Sequence, residues 1–368
     1  MAVELNKLLD VVIDQGASDL HLTVGLPPMI RVHSHLKPLN HPPLTNDDTI
    51  AFMRSVTSER HQQELKEKGG CDLAFAYEKK ARFRVAVYTQ RGLTGLVLRL
   101  IPNRLRTIEE LGLPDVIKEL INRPRGLILV TGPTGSGKST TLAAMINHIN
   151  INEDCHIITI EDPVEYYHEH KKSIITQREV HNDIGSFAEA ITKALRMDPD
   201  VILVGEMRDL DTIQAAVTAA ETGHLVFGTL HTTGAARTIN RIVDVFPNAQ
   251  QEQIRTQLAT AIIAIISQVL LPKADGKGVI AAYEIMVATP AVQHLIRENE
   301  PHKIISAIQT GTKLGMVLLD DYLFKLFLGK KITYQDMMEY SQNPADLAIK
   351  MQEYAKQQQA SFKQQRTP

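Results

Sequence analysis

Tryptophan is absent from the 368 residues, and there are only two cysteines, Cys71 and Cys155. Two thiols exclude a disulfide framework and a four-thiolate zinc site. Neither sign of charge dominates, since 40 Lys and Arg against 42 Asp and Glu give a formal net charge of −2. A chain so balanced lacks the basic stripe of a general nucleic-acid binder, and no nucleic-acid partner is expected. Long apolar runs are missing too. The longest, LATAIIAIISQVLL at 258–271, is interrupted by polar residues and falls short of the ~20 residues a membrane span needs. No basic segment leading into an apolar one opens the sequence, so nothing marks it for secretion and a cytoplasmic place is expected. What remains is a globular composition, 43% apolar and 22% charged, long enough for two or three domains at ~150 residues each.

The first part, residues 1–101, reads as an α+β domain. SDLHLTV (18–24), MIRVHSHLKPL (29–39), CDLAFAY (71–77), ARFRVAVYTQ (81–90) and GLVLRLI (95–101) carry strand patterns. Between them, 46–70 predicts one helix, capped by Asn46 or Asp47 and stopped at Gly69-Gly70. Residues 102–113, between prolines and without sustained period, predict a linker. From 114 to 350 the rhythm is that of an α/β domain. GLILVT (126–131), HIITIE (156–161), VILVGE (201–206) and LVFGTL (225–230) are short, nearly all-apolar runs separated by long amphipathic stretches. That alternation predicts a parallel sheet covered on both faces, with ligands at the carboxyl ends of its strands. The last third reads as helical at 250–270, 288–299, 302–311 and 318–329, with one added strand at 279–286. Residues 351–368, with six Gln in eighteen, predict a disordered tail.

The strongest chemical signal is Gly132-Pro133-Thr134-Gly135-Ser136-Gly137-Lys138-Ser139, which fits G-x-x-x-x-G-K-[ST] directly after GLILVT, with Thr140 following. Its glycines let the backbone turn several N–H groups inward, and the helix that begins near Lys138 adds its positive end. Lys138 would reach the β- and γ-phosphates of ATP, and the Ser139 hydroxyl would ligand Mg²⁺. Hydrolysis also needs a carboxylate to direct water and a second to order the metal. Glu161 and Glu206 close apolar strands, each expected beside the strand that carries the phosphate loop, with Asp162 as a helix cap or outer support. His231, after LVFGTL, is placed for a further γ-phosphate contact, whereas His224, before it, is open to either a structural or a functional reading. Arg82 and Arg84 share one face of a strand, as a solvated pair or as arginine fingers toward a neighbouring subunit's nucleotide. His21, His33, His35 and His41, and His168-Glu169-His170, have no spacing that converges on a metal.

These residues together resemble the type IV pilus retraction ATPases, the PilT-type branch of the secretion ATPase superfamily. The resemblance is carried by ASDLHL (17–22), RFRV (82–85), QRG (90–92), VTGPTGSGKSTTLAAM (130–145), IITIEDPVE (157–165), QREV (177–180), DPDVILVGEMRD (198–209) and AETGHLVFGTLHT (220–232). It implies an N-terminal PAS-like domain and a RecA-like P-loop ATPase domain with C-terminal helices, assembled as a homohexamer that drives pilus retraction and twitching motility. Lys138 and Ser139 match the Walker A pair, Glu161 the catalytic glutamate, Glu206 the Walker B acid, His224 and His231 the His box, and Arg82 and Arg84 the family's arginines. An inner-membrane platform protein is the implied partner, with the ring on the cytoplasmic side of that membrane, and a paralogous retraction ATPase is a further one. Where the family commonly has AIRNLIRE, 291–298 reads AVQHLIRE, the next signature reads Gly315-Met316-Val317-Leu318, and 322–344 is closer to PilU-type paralogues. An auxiliary retraction ATPase, an extension or secretion ATPase, and a poorly hydrolysing regulatory subunit are the alternatives.

Overall fold

The computed structural model describes residues 4–32, 35–78, 80–101 and 104–364, so His33 lies outside the described residues. The chain divides into a unit of Met1–Leu105 with Pro163–Tyr167 and a unit of Arg106–Asp162 with His168–Pro368. The stretch predicted as linker is not a spacer along its whole length. Ile108 and Leu113 are buried with Ile117 in the core of the second unit.

The first unit is built on six antiparallel strands: β1 Asp19–Leu22, β2 Met29–Val32, β3 His35–Pro38, β4 Gly70–Tyr77, β5 Ala81–Gln90 and β6 Leu93–Ile101. Their order is β3-β2-β1-β6-β5-β4. Phe83, Val85 and Val87 alternate along β5 and face the core, where they join Leu20, Leu22, Leu96 and Leu98. Two departures from the sequence reading concern helices. Leu5–Asp14 is a helix that buries Leu5, Leu8, Leu9 and Val12 at one-face spacing. The single helix predicted over 46–70 is two, Asn46–Val56 and Glu59–Lys68. Its start is capped not by Asn46 or Asp47 but by Thr45, whose hydroxyl accepts from Asp48 N while the Asp48 carboxylate accepts from Thr45 N.

The second unit holds β7 Gly126–Thr131, β8 His156–Glu161, β9 Ile174–Glu179, β10 Val201–Val204, β11 Leu225–Leu230, β12 Ile262–Pro272 and β13 Val279–Val287. They form one sheet in the order β13-β12-β7-β11-β10-β8-β9, parallel throughout except for β13. Neither β8 nor β10 adjoins β7, contrary to the expectation from sequence, because β11 intervenes. The helix predicted over 250–270 ends at Ala261, and the isoleucine-rich half is β12. A continuous apolar run has no period to separate helix from strand, and here the β-branched residues fit between β7 and β13 with both faces covered. The helix Pro344–Gln364 runs past Met351, where the tail was predicted to begin. Leu347, Met351 and Tyr354 recur at helical spacing and pack on the cluster around Leu323 and Phe324, with the Tyr354 and Phe324 rings edge to face at 5.7 Å.

His168, in the loop between β8 and β9, has its Nδ1 shielded from water with no protein partner among the described residues. Burial, helped by the charge of Lys171, pushes its pKa down to about 4. The ring is therefore neutral in the fold, while the unfolded chain takes up its proton near pH 6.5. Its contribution to stability is complete above pH 6.5 and is lost as pH falls toward 4, a difference of up to about 3 kcal/mol. Urea unfolding at pH 5 and 7.5 should show a stability loss on acidification that His168→Gln reduces; equal losses in both proteins would contradict this account.

Candidate active site

β7 is buried along its whole length and ends at Thr131. The turn out of the sheet uses glycines in conformations that L side chains rarely adopt, with φ of +143° at Gly132, +80° at Gly135 and +87° at Gly137. At Gly132 the space is also closed, since a Cβ would stand 2.2 Å from the Gln268 carbonyl oxygen. Helix Lys138–Asn152 then begins at Gly137 with no side-chain cap, which leaves its first N–H groups for an anion. Lys138 Nζ donates to the carbonyls of Gly132 at 2.9 Å and Pro133 at 3.1 Å, so the ammonium is held against the loop. The Ser136 hydroxyl is buried and has no protein partner among the described residues. A glycine cradle, a helix N-terminus, a held ammonium and an unpartnered hydroxyl all fit a nucleotide's phosphates. No group of three or more His, Cys, Asp or Glu suited to a metal occurs among the described residues. Mg²⁺ needs no such cage, because it keeps several waters and takes few protein oxygens, for which Ser139 and Glu206 are suited.

Beside this loop the sheet brings further groups to the same edge. Leu230 pairs with Thr131, so His231 leaves β11 next to the point where the phosphate loop leaves β7. Its Nε2 lies 2.9 Å from Glu206 Oε1, and Arg208 Nε donates to that same oxygen. The hydrogen bond to Glu206, opposed in part by desolvation, raises the Arg208 pKa. Glu206 follows β10 in a turn tied to β11, where Thr229 Oγ1 donates to Gly205 O at 2.5 Å and Met207 N donates to Thr229 O at 3.0 Å. Gly205 lies close against β8, with Ile160 O 3.1 Å from where a Cβ would stand. Glu161 ends β8, and its Oε1 accepts from Thr159 Oγ1 at 2.8 Å and from Gln177 Nε2 at 3.4 Å.

His224 does not belong to this group. It precedes β11, at the end of the sheet where β7 begins, and is separated from the phosphate loop by the length of the strand, about 20 Å for six residues. Its Nδ1 lies within hydrogen-bond distance of Ala219 O, at 3.0 Å. Arg82 and Arg84 belong to the first unit. Arg82 is 7% exposed with its guanidinium carbon 4.0 Å from the Tyr167 ring centroid, whereas Arg84 is exposed, so the two do not share one environment. Sequence reasoning missed Arg208, two residues beyond Glu206, and Gln177, because strand β9 is half-exposed and was not recognised. It also missed Gln268, hidden in the run read as helix.

The family model described as Type II/IV secretion system protein matches residues 1–318. The chain is 49% identical over 342 residues to the Type IV pilus retractation ATPase PilT of Pseudomonas aeruginosa PAO1, covering 93% of this chain and 99% of that one. It is 40% identical over 347 residues to the Type IV pilus ATPase PilU of the same organism, covering 94% and 91%. Among solved structures, that of the pilus retraction motor PilT with bound ADP superposes with a TM-score of 0.86 at 49% identity, covering 94% of this chain and 98% of that one.

Gly132→Ala should weaken nucleotide binding about 10–100-fold, since the added methyl meets backbone and the left-handed region costs about 1–3 kcal/mol. Titration with a fluorescent ATP analogue measures this, and wild-type affinity in the variant would show that the loop does not need its present shape.

Proposed function

The chain belongs to the Type II/IV secretion system protein family, in its PilT branch, and from that premise we propose that it is an ATP-hydrolysing motor of type IV pilus retraction and twitching motility. The observation that carries the reading is an uninterrupted phosphate loop with Glu161, Glu206 and His231 on one sheet edge, in a chain similar to a PilT retraction ATPase over nearly the full length of both. The working form is a homohexameric ring on the cytoplasmic side of the inner membrane, docked on a platform protein at the pilus base.

The N–H groups of residues 132–140 and the Lys138 ammonium bind the β- and γ-phosphates. In this reading Ser139 and Glu206 hold Mg²⁺, which when bound neutralises charge on the transferring phosphoryl oxygens. Glu161 orients the attacking water and accepts its proton, with Thr159 and Gln177 fixing the carboxylate. His231 and Arg208 restrain Glu206 from two sides. The arginines of β5 supply positive charge to a neighbouring subunit's nucleotide. Arg84 is the more accessible of the two, and Arg82 must first leave the Tyr167 ring.

A second reading, an auxiliary retraction ATPase, is favoured by the PilU-like character of 322–344. A strain lacking only this gene separates the readings. Abundant pili that no longer retract support the primary motor, bald cells support an assembly ATPase, and unchanged piliation supports the auxiliary role. In the purified protein, Glu161→Gln should lower ATP turnover about 10²–10⁴-fold while ATP binding is retained. Turnover at the wild-type rate would remove Glu161 from the role of base.

A further inference from the structure

Gln268 stands in the middle of β12 and is 1% exposed. Its Nε2 donates to the carbonyl of Ser136 at 2.5 Å, and its Oε1 accepts from Thr141 Oγ1 at 2.8 Å. The orientation of the amide follows from its partners, because a carbonyl can only accept. The same residue closes two further points of the phosphate loop. Its backbone oxygen is the atom 2.2 Å from a Cβ on Gly132, and its Nε2 lies 3.3 Å from one on Gly137. One glutamine thus meets the first and last glycines of the loop, the carbonyl between them, and the first turn of the following helix. The pairing of Ser267 with Thr131 holds it there, since β12 and β7 are hydrogen-bonded neighbours.

We propose that Gln268 is a positioning residue for the phosphate loop and that it sets the affinity of the protein for ATP. In a trans peptide the C=O and the next N–H point in opposite directions. Drawing the Ser136 carbonyl to Gln268 therefore turns the Gly137 N–H away from β12. The loop's glycines have the greatest backbone freedom in the chain, and that freedom would have to be given up on binding. A buried donor that fixes the 136–137 peptide beforehand removes part of this cost. The other end of the amide, bonded to Thr141, keeps the glutamine from swinging away. The inference rests on the reading of residues 132–140 as the ATP phosphate site.

The alternative is a polar side chain that is merely satisfied within the core, in which case its loss lowers stability but leaves the folded protein's affinity unchanged. Full-length wild type, Gln268→Met, Gln268→Glu and Thr141→Val are compared by steady-state ATP hydrolysis, titration with a fluorescent ATP analogue and thermal melting without nucleotide. Gln268→Met should raise KM and Kd about tenfold with kcat within about threefold, the pattern of lost uniform binding. Gln268→Glu should bind as weakly at pH 8 and regain affinity toward pH 6, because a protonated carboxyl again offers a donor to Ser136 O; the wild type should change less over that range. If Gln268→Met does not fold, Gln268→Glu and Thr141→Val decide, the latter with KM raised about threefold. Wild-type KM and Kd in the folded variants, with only the melting temperature lowered, would overturn the proposal. A wild-type protein that neither binds nor hydrolyses ATP would instead overturn the function proposed above.

Discussion

β7 is hydrogen-bonded to β11 on one side and to β12 on the other, and both pairings are parallel. The chemistry at the carboxyl edge of the sheet depends on that arrangement. Because the strands run the same way, each ends at the edge where the phosphate loop begins, and each can place one group beside it. β11 delivers His231, β10 delivers Glu206, and β8 delivers Glu161, while β12 passes behind the loop and supplies Gln268. Shifting a parallel strand by one residue would exchange its two faces. Ser267 and Gln268 would then trade places, and the loop would lose its buried amide. The buried Ile265 and Ile266 before these two polar residues, and Val269 after them, therefore act on the site by fixing register.

The phosphate loop was legible in the sequence because its glycines answer a local need. The positive φ at Gly132, Gly135 and Gly137 is a property of the residues themselves. The strand ends that bear Glu161, Glu206 and His231 were legible for a similar reason, since short apolar runs end where a polar residue must begin. Strand order was not, because order in the sheet is decided by crossovers rather than by neighbours in the chain, and β11 separates β7 from β10. Nor was β12, where IIAIIS gives no period and only the covering strands on both sides decide for extended structure. That one misreading hid Gln268, since a polar residue in a supposed amphipathic helix needs no explanation. The helix Leu5–Asp14 is different in kind, with Leu5, Leu8, Leu9 and Val12 plainly on one face. His224 and His231 share a motif, but β11 lies between them and sets them at opposite ends of the strand.

Successive side chains of β12 also explain how the two loops at the site keep their separation. Gln268 braces the phosphate loop, and Ser267, on the opposite face, accepts from Gly234 N at 2.9 Å. Across the strand pair, Glu284 accepts from Ala235 N at 2.7 Å. Together these two bonds hold the backbone three and four residues beyond His231. Burial raises the Glu284 pKa, countered by the hydrogen bonds from Ala235 and Gln342. Gln342 Nε2 reaches Glu284 at 3.3 Å, and its backbone N–H donates to Asp320 at 2.8 Å. The turn after His231 is thus held by the same β12–β13 pair that meets the C-terminal helices, within one cooperative polar cluster.

Residues 291–298 and 315–318, where this chain departs from the pattern that its resemblance to PilT implies, lie on other elements than the strands that end at the phosphate loop. Val317 exchanges backbone hydrogen bonds with Ile285, the residue after Glu284, at 2.9 and 3.1 Å. Those bonds involve main chain only, so the change of side chain at 317 leaves them possible. In helix Pro290–Arg297, Val292 is fully buried, whereas His294 is exposed. A valine in an apolar core is a modest change of volume, while an exposed histidine changes what the helix presents to a partner. The phosphate loop, Glu161, Glu206 and His231 lie on other elements and keep their own hydrogen bonds. On the function proposed above, these differences bear on what the surface of the chain offers a partner and leave the phosphate loop's own contacts unchanged.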